Sequence, residues 1–260
     1  MMFMVEPKPI DGFRWTQTPW GRGLICDELE RHAAHLFTVG DLELRGDEGE
    51  WLAVARFMGV PRERLRLIGQ VHGADIAILR KSASGPWTPP RADGIASDDD
   101  SVALAVRVAD CAPLLIADTT RPVVAAVHAG WRGTLQGIAG AAVASLEKEF
   151  GSRADQLVAA IGPCLGACCG EMGPEVVEMF RQAGYRDDQL ARWFEAGPSG
   201  KPHFDLWTAN REQLEGAGLR PAAIFMAGLC TRSHPDVFHS YRAEGANAGR
   251  MLGIIRPKAV

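Results

Sequence analysis

The feature that most constrains the fold is a set of short runs that are apolar nearly throughout. A strand with one face in water alternates apolar and polar residues, whereas a continuously apolar run is typical of a strand covered on both faces. The sequence therefore predicts buried strands, as in a sheet flanked by helices. The runs are Leu65–Val71, Asp75–Leu79, Val102–Val108, Pro113–Ala117, Val123–His128, Leu157–Ile161 and Ala222–Met226.

Helix start and stop signals lie between these runs. Asp47, with Glu50 three residues later, predicts a capping box before a helix from Trp51 to Met58, which Gly59 ends. Three further helices are predicted in the same way. One is capped by Thr134 and runs to Phe150, one starts at Pro174 and runs to Gln182, and one follows Asp205 and runs to Ala217.

The connections indicate the fold class. The segment Asp118–Pro122 between two apolar runs predicts a hairpin, and hence antiparallel pairing. Ser82–Arg91 contains two consecutive prolines and predicts an internal surface loop. Hairpins together with crossovers predict an α+β fold, a single domain over residues 1–260 with a mixed β-sheet flanked by helices.

Charge and cysteine content limit the partners and the compartment. The 28 Lys and Arg against 32 Asp and Glu give a net charge of -4, which offers no basic footprint for nucleic acid or an anionic membrane. The N-terminus lacks the order of a secretory signal, and no stretch approaches the roughly 18 apolar residues of a membrane span. We therefore expect a cytoplasmic protein with six reduced cysteines and a small-molecule substrate.

Three residues that can bind metals stand at the ends of predicted strands. His72 and Cys111 each follow a strand, and His128 ends another. Two imidazoles and a thiolate are the ligands that a zinc site with one open position requires. Taken singly, a strand-end histidine or a buried cysteine more often packs or forms a hydrogen bond, so the spacing alone leaves both interpretations open.

A series of motifs resembles the YfiH-type, or laccase-domain, family. In order along the chain they are Gln70–Asp75, Ala92–Gly94, Ala109–Pro113, Val127–Gly133, Ile161–Cys164, Cys168–Cys169 and Phe204–Leu206. The resemblance implies a YfiH-like α+β fold and a metal, most often zinc, held by His72, Cys111 and His128 as the catalytic centre.

The resemblance also implies an activity. Family members are described as purine nucleoside phosphorylases acting on adenosine, inosine and methylthioadenosine, with adenosine deaminase activity as well. Some bacterial members are linked to the editing of peptidoglycan precursors, and an older name is polyphenol oxidase. The chain departs from the family pattern at Val39, where an arginine is expected, and lacks the Gly-Gly-Val-Ser segment; Arg45 is a candidate replacement for that arginine.

Chemistry suggests roles for further residues. Zinc with three protein ligands leaves a position for water and can lower the pKa of that water to about 7, which suits hydrolytic deamination. Phosphorolysis needs an anion site, and Arg132, beside the predicted helix start, is a candidate for phosphate, although it would equally suit a surface ion pair. Gln70 and Asp93 are the other substrate-binding candidates; Asp93 before Gly94 also suits a turn.

Two metal interpretations are disfavoured by counting. Cys164, Cys168 and Cys169 contain no Cys-x-x-Cys pair, so we expect no second metal site there. Seven histidines without a His-x-His pair are too few for a multicopper cluster. Copper can nevertheless occupy the His-Cys-His site, because Cu²⁺ binds more tightly than zinc to a given set of ligands.

Three functions follow from these residues. The leading one is a zinc-dependent purine nucleoside phosphorylase that also deaminates adenosine. A second is an amidase acting on a peptidoglycan precursor, with Cys111 as nucleophile and His72 or His128 as base. A third is a non-catalytic protein stabilised by zinc, which would need a fourth protein ligand.

Overall fold

The computed structural model describes residues 6–10, 12–82 and 87–258. Within them the chain forms strands and helices that alternate irregularly along the sequence. The strands are β1 (Phe13–Thr18), β2 (Gly21–Cys26), β3 (Ala33–Thr38), β4 (Leu65–Arg66), β5 (Ile76–Leu79), β6 (Gly94–Ser97), β7 (Ala103–Val108), β8 (Ala112–Asp118), β9 (Val124–Ala129), β10 (Leu157–Ile161), β11 (Phe194–Ala196), β12 (Pro202–Phe204), β13 (Ile224–Met226) and β14 (Met251–Pro257). The helices are α1 (Asp27–His32), α2 (Glu48–Phe57), α3 (Trp131–Leu135), α4 (Ile138–Phe150), α5 (Pro174–Gln182), α6 (Asp187–Trp193), α7 (Leu206–Gly216) and α8 (Tyr241–Glu244).

Most strands belong to two mixed six-stranded sheets. The first has the order β1-β2-β3-β14-β7-β4 and the second the order β13-β10-β8-β9-β6-β5, while β11 and β12 form a separate ribbon. Neighbours are antiparallel except for the pairs β4–β7, β5–β6 and β10–β13. The predicted α+β class and the predicted hairpin between β8 and β9 are confirmed.

The two sheets pack face to face and each carries helices on its outer face. Along β8, Leu114 and Ile116 contribute to the core under α4, whereas Leu115 and Ala117 contribute to the core between the sheets. Successive side chains of a strand point to opposite faces, so a strand buried between two layers is apolar at every position. The prediction that both faces are covered is confirmed, with the second sheet supplying one of the covers.

Two helix starts agree with the sequence and one differs in detail. Pro174 is the first residue of α5, and the Asp205 carboxylate accepts a hydrogen bond from the Thr208 amide at the start of α7. Asp47 caps α2 by accepting from the Gly49 amide. The expected reciprocal contact of Glu50 is absent, because its carboxylate accepts from the amides of residues 43 and 44 instead.

The prediction that Thr134 caps one long helix is wrong. The segment forms two helices, and α3 begins at Trp131, three residues before Thr134. Gly137, with a φ of 77°, turns the chain into α4. The Thr134 hydroxyl donates to the carbonyl of Gly130, so it bonds back along its own helix rather than capping the next one.

Strand bounds differ where the sequence pattern is weak. The run from Leu65 forms only a two-residue strand, and strands β1, β2, β3 and β14 were not predicted, although β14 begins with the apolar segment Met251–Ile255. Of the predicted loop Ser82–Arg91, residues 83–86 lie outside the described residues, and the remainder contains no helix. In the described part of the chain no helix has the length and apolarity to cross a bilayer.

The close approach of the sheets provides a stability test at Gly162. A Cβ atom built there would overlap the ring of the buried Phe37 and lie 2.9 Å from Cγ of Pro113. We expect Gly162→Ala to lower the free energy of unfolding by about 1–3 kcal/mol, measured by urea denaturation. The control is Gly140→Ala in α4, where a Cβ meets nothing within 4 Å. It should stabilise the protein by about 0.5–1 kcal/mol, and equal effects would contradict the packing argument.

Candidate metal centre and cavity

The candidate centre lies where the chain passes from one sheet to the other. His72 belongs to the segment that leads from β4 in the first sheet to β5 in the second. Cys111 belongs to the short segment that leads from β7 to β8, which is the same change of sheet. His128 lies in β9, opposite Pro113 of β8. The topology therefore brings together three residues that are far apart in sequence.

The three side chains are close enough to share one ion. One ligand atom from each of His72, Cys111 and His128 lies within 4.8 Å of the others. The imidazole rings are 4.9 Å apart between centroids and inclined at 78°. His128 is buried, Cys111 is half-buried and His72 is exposed, so the group opens on one side. This donor set of two nitrogens and one sulfur suits a borderline or soft metal ion.

Asp93 fixes the positions of both histidines. It is fully buried, and one of its carboxylate oxygens lies 2.8 Å from Nδ1 of His128, which leaves Nε2 of that ring for a ligand. The same carboxylate accepts hydrogen bonds from the amides of Val71, His72 and Gly73 at 3.1, 2.9 and 2.6 Å. A carboxylate that orients a ligating histidine is the usual support of a metal site.

Asp110 holds the backbone beside Cys111 in an unusual conformation. Its backbone φ is 84°, a value that residues other than glycine rarely adopt. Its carboxylate accepts from the Thr231 hydroxyl at 2.6 Å and from the Arg242 amide at 2.5 Å. Its carbonyl accepts from the Leu165 amide. Asp110 therefore ties three loops to the cysteine, and its carboxylate is engaged away from the ligand group.

A glycine is required beside the cysteine. A Cβ atom at Gly130 would lie 2.8 Å from Sγ of Cys111 and 3.4 Å from the ring of His72. A Cβ at Gly133, one turn further along, would lie 3.0 Å from the carbonyl of Gly73. Both glycines let α3 pack directly against the segment that carries His72.

The protonation equilibria of the cysteine and the buried histidine are coupled. Burial disfavours the Cys111 thiolate, but the adjacent charge of His128 and the hydrogen bonds from both imidazoles outweigh it, and they lower the pKa of Cys111 to about 6. Burial also disfavours protonation of His128, yet the Cys111 thiolate and the Asp93 hydrogen bond raise the pKa of His128 to about 9. The cysteine is therefore an anionic ligand at neutral pH.

The centre opens into a cavity of about 700 Å³. Four arginines line it, namely Arg107, Arg132, Arg242 and Arg250, and within the described residues none of them forms a salt bridge with a carboxylate. The remaining wall is largely apolar and aromatic, with Trp131, Leu165, Met172, Phe204, Leu206 and Tyr241. The cavity thus combines a metal-binding group, a positively charged region and an apolar surface.

The predicted substrate-binding residues occupy different positions. Arg132 lines the cavity, with its guanidinium 4.3 Å from the ring centroid of Trp131. Gln70 also lines it, but its amide group is bonded at both ends to the backbone of Arg107. Asp93 is not on the cavity wall, because its carboxylate is buried under the histidines. Of the three, Arg132 is the one that lines the cavity with a side chain that is not hydrogen-bonded to other described residues.

The departure from the family pattern leaves no arginine at position 39. Val39 is fully buried in the core between the sheets. Arg45 donates to the carbonyls of Ala246 and Ala248 and is absent from the cavity wall, so it does not replace the expected arginine there. Arg107 and Arg250, which the sequence did not indicate, line the cavity instead.

Asp93 provides a test of the metal centre. Asp93→Asn should weaken metal binding by about 10–100-fold, because an amide cannot accept all the hydrogen bonds that now orient His128 and the His72 segment. Competition with a chromogenic chelator measures the affinity. Asp75→Asn is the matched control, since it makes the same exchange at an exposed position close to the same segment. Equal metal affinity in both variants would show that Asp93 does not support the site.

Comparisons with known proteins identify relatives over most of the chain. Residues 37–258 match the family described as multi-copper polyphenol oxidoreductase laccase. A purine nucleoside phosphorylase of Bacteroides thetaiotaomicron is 36% identical over 62% of this chain and 58% of its own length. The purine nucleoside phosphorylase YlmD of Geobacillus stearothermophilus is 35% identical over 78% of this chain and 75% of its own length. The adenosine deaminase RL5 of an unknown prokaryotic organism is 33% identical over 84% of each chain.

Solved structures show the same fold. YlmD from Geobacillus stearothermophilus superimposes with a TM-score of 0.83 at 28% identity, over 94% of this chain and 99% of that one. The YfiH protein of Bacillus licheniformis gives a TM-score of 0.83 at 24% identity, over 95% of this chain and all of that one, which concerns the fold alone. The chain therefore belongs to the multi-copper polyphenol oxidoreductase laccase family, with the YfiH-like fold, and is an enzyme.

Proposed function

We propose that this protein is a zinc-dependent purine nucleoside phosphorylase, acting on adenosine, inosine and methylthioadenosine. The observation that carries the proposal is a single cavity that joins a His-Cys-His group to four arginines without carboxylate partners. Relatives named as purine nucleoside phosphorylases support the same reaction. The volume of the cavity, about 700 Å³, lies within the usual range of small-molecule sites.

The donor set favours zinc at a site with an open position. His72, Cys111 and His128 form the group, and among the described residues no fourth histidine, cysteine or carboxylate joins it. A structural zinc site would use four protein ligands, so the group suits catalysis better than stabilisation. Bound zinc would supply a Lewis acid next to the substrate. Asp93 keeps His128 in the tautomer that presents Nε2.

The arginines supply the anion site that phosphorolysis requires. Guanidinium groups bind phosphate through paired, charge-assisted hydrogen bonds. Arg242 is held by the carbonyls of Cys169 and Glu171, and Arg250 by those of Ala248 and Gly249. Carbonyl oxygens position a guanidinium but do not cancel its charge. The cavity therefore retains the positive potential that a phosphate dianion needs in a protein of net charge -4.

The apolar wall suits the purine and the sugar. The ring of Tyr241, which is exposed, can stack against a planar base. In phosphorolysis a phosphate oxygen bonds to C1′ of the ribose as the bond from C1′ to N9 breaks, and the electron pair leaves with the purine. The arginines hold the attacking phosphate close to C1′, which replaces an encounter in solution by a fixed geometry.

Deamination of adenosine is a second activity of the same cavity. The relative named adenosine deaminase RL5 covers 84% of this chain. Water would replace the C6 amine and release ammonia, so this reaction needs no phosphate. Dependence on phosphate therefore separates the two activities.

Copper oxidase chemistry is a poor fit to this chain despite the description of the family. The candidate metal centre contains two histidines, and the other cluster of possible ligands among the described residues, Cys168, Cys169 and Cys230, contains none. A multicopper cluster needs many more, and the sequence contains seven histidines in total.

We also place the protein in the cytoplasm, since all six cysteines are free thiols.

An assay with adenosine tests the proposal. Adenosine with phosphate should give adenine and ribose 1-phosphate, whereas adenosine without phosphate should give only inosine. Removal of the metal with a chelator should abolish both products, and zinc should restore them. Separation of the products by chromatography provides the measurement. A protein with a full metal site that forms neither product would contradict the proposal and favour the amidase with Cys111 as nucleophile.

Arg132 tests the phosphate site. Arg132→Ala should raise the KM for phosphate about tenfold or more, since loss of a hydrogen bond to a charged group costs about 1.5–3 kcal/mol. The KM for the nucleoside should change much less. The control is Arg153→Ala, which removes an exposed arginine that pairs with Asp155 away from the cavity. An unchanged KM for phosphate in Arg132→Ala would rule out this role.

A further inference from the structure

A second group of sulfur ligands lies outside the proposed catalytic centre. Cys168, Cys169 and Cys230 place their sulfur atoms within 4.8 Å of one another. None of the three lines the cavity. This grouping departs from the expectation, based on spacing alone, that these cysteines form no metal site; Cys164 is fully buried and is not a member.

The parallel pair β10–β13 explains how the three cysteines meet. Parallel strands deliver the segments that follow them to the same edge of a sheet. Cys168 and Cys169 lie in a short 3-10 turn after β10, and Cys230 follows β13. A bridge between Cys164 and Cys230 continues the pairing beyond the strands. The sequence spacing could not indicate this group, because the third cysteine comes from a distant segment.

The distances suit coordination of one ion. The sulfur atoms of Cys168 and Cys169 are 3.7 Å apart. Three sulfurs bound to one ion at about 2.3 Å, the length of a zinc–sulfur bond, lie about 4 Å from one another. The hydroxyl of Ser233 is 3.3 Å from Cys168 Sγ and 3.4 Å from Cys169 Sγ. The group is therefore almost in the arrangement that a bound ion would require.

Exposure and hydrogen bonding distinguish this group from packed thiols. Cys168 is exposed, Cys169 is half-buried and Cys230 is buried, so an ion can enter from solvent and reach the innermost sulfur. The Gly166 amide donates to Cys230 Sγ at 3.3 Å, an interaction that stabilises a thiolate. Cysteines that only fill a core are buried, and an exposed one contributes little to packing.

We propose that Cys168, Cys169 and Cys230 form a binding site for a soft monovalent cation of the Cu(I) type, held by three thiolates. Thiolates select soft ions, and the group contains no carboxylate or imidazole that would favour a harder one. Zinc in a closed site takes four ligands, and the described residues offer only the Ser233 hydroxyl as a fourth. Three-coordinate Cu(I) needs no fourth ligand.

Retention of Cu(I) tests the site. The full-length protein, with reduced thiols and zinc in the first centre, is equilibrated without oxygen against Cu(I) buffered by a coloured Cu(I) chelator. We expect the unsubstituted chain to retain about one Cu(I), with sulfur as its only neighbours in X-ray absorption. Cys168→Ser should lose this ion and keep its zinc. Because Cys168 is exposed, this variant should fold, which circular dichroism checks.

Two further variants separate this site from the first centre. Cys111→Ala should lose zinc and still retain Cu(I), whereas Cys169→Ser should behave like Cys168→Ser. Cys26→Ala is the control for loss of a thiol, since Cys26 belongs to neither group. Equal retention of Cu(I) by Cys168→Ser and the unsubstituted chain would overturn the proposal. So would loss of Cu(I) in Cys111→Ala, or a thiol titration showing that Cys168 and Cys169 are oxidised to each other and bind no copper.

Discussion

The candidate centre depends on one buried carboxylate. Asp93 has no exposed surface, yet its pKa is lowered, because the hydrogen bonds from His128 and from backbone amides outweigh the cost of burial. It also joins the strand that carries His128 to the segment that carries His72. Without an acceptor at this position, three partly buried amides and a buried imidazole would lose their partner, and loss of a buried partner costs about 1–3 kcal/mol.

The location of Asp93 follows from strand pairing within the second sheet. It directly precedes β6, and its backbone carbonyl accepts from the amide of His128 in the neighbouring strand β9. Backbone pairing therefore fixes the strand and the side chain fixes the imidazole, so one residue sets both the position and the orientation of a ligand. The change of sheet at residues 109–111 then brings Cys111 to the same edge. The centre is a consequence of how the sheets are connected.

The sequence predicted the parts of the fold that depend on local patterns. The run Leu157–Ile161 is a strand with the predicted bounds, and the cap at Asp205 and the proline at Pro174 start helices as expected. Local patterns failed where contacts distant in sequence decide the structure. Strand β14 lies far along the chain from its partners β3 and β7. The Glu50 carboxylate accepts from the amides of residues 43 and 44 instead of forming the predicted capping contact.

The candidate site was likewise predictable only in part from patterns along the chain. The grouping of His72, Cys111 and His128 was expected from the resemblance to a family, since spacing along the chain could not establish it. Gln70 lines the cavity, but its side-chain amide is bonded to the backbone of Arg107, and no pattern along the chain predicts that pairing. Arg107 and Arg250 carry no local signal. An exposed arginine in a strand looks the same in sequence whether it faces solvent or a cavity.

The arrangement of the arginines reconciles an acidic protein with the anionic substrate that we propose. Elsewhere on the surface, arginines such as Arg14 and Arg192 pair with carboxylates, which neutralises them locally. In the cavity, Arg242 and Arg250 are held by carbonyl oxygens and Arg132 stacks on an indole ring. These contacts fix the guanidinium groups and leave their charge in place. Net charge therefore says little about what such a protein binds, because the decisive quantity is which positive groups lack a carboxylate partner.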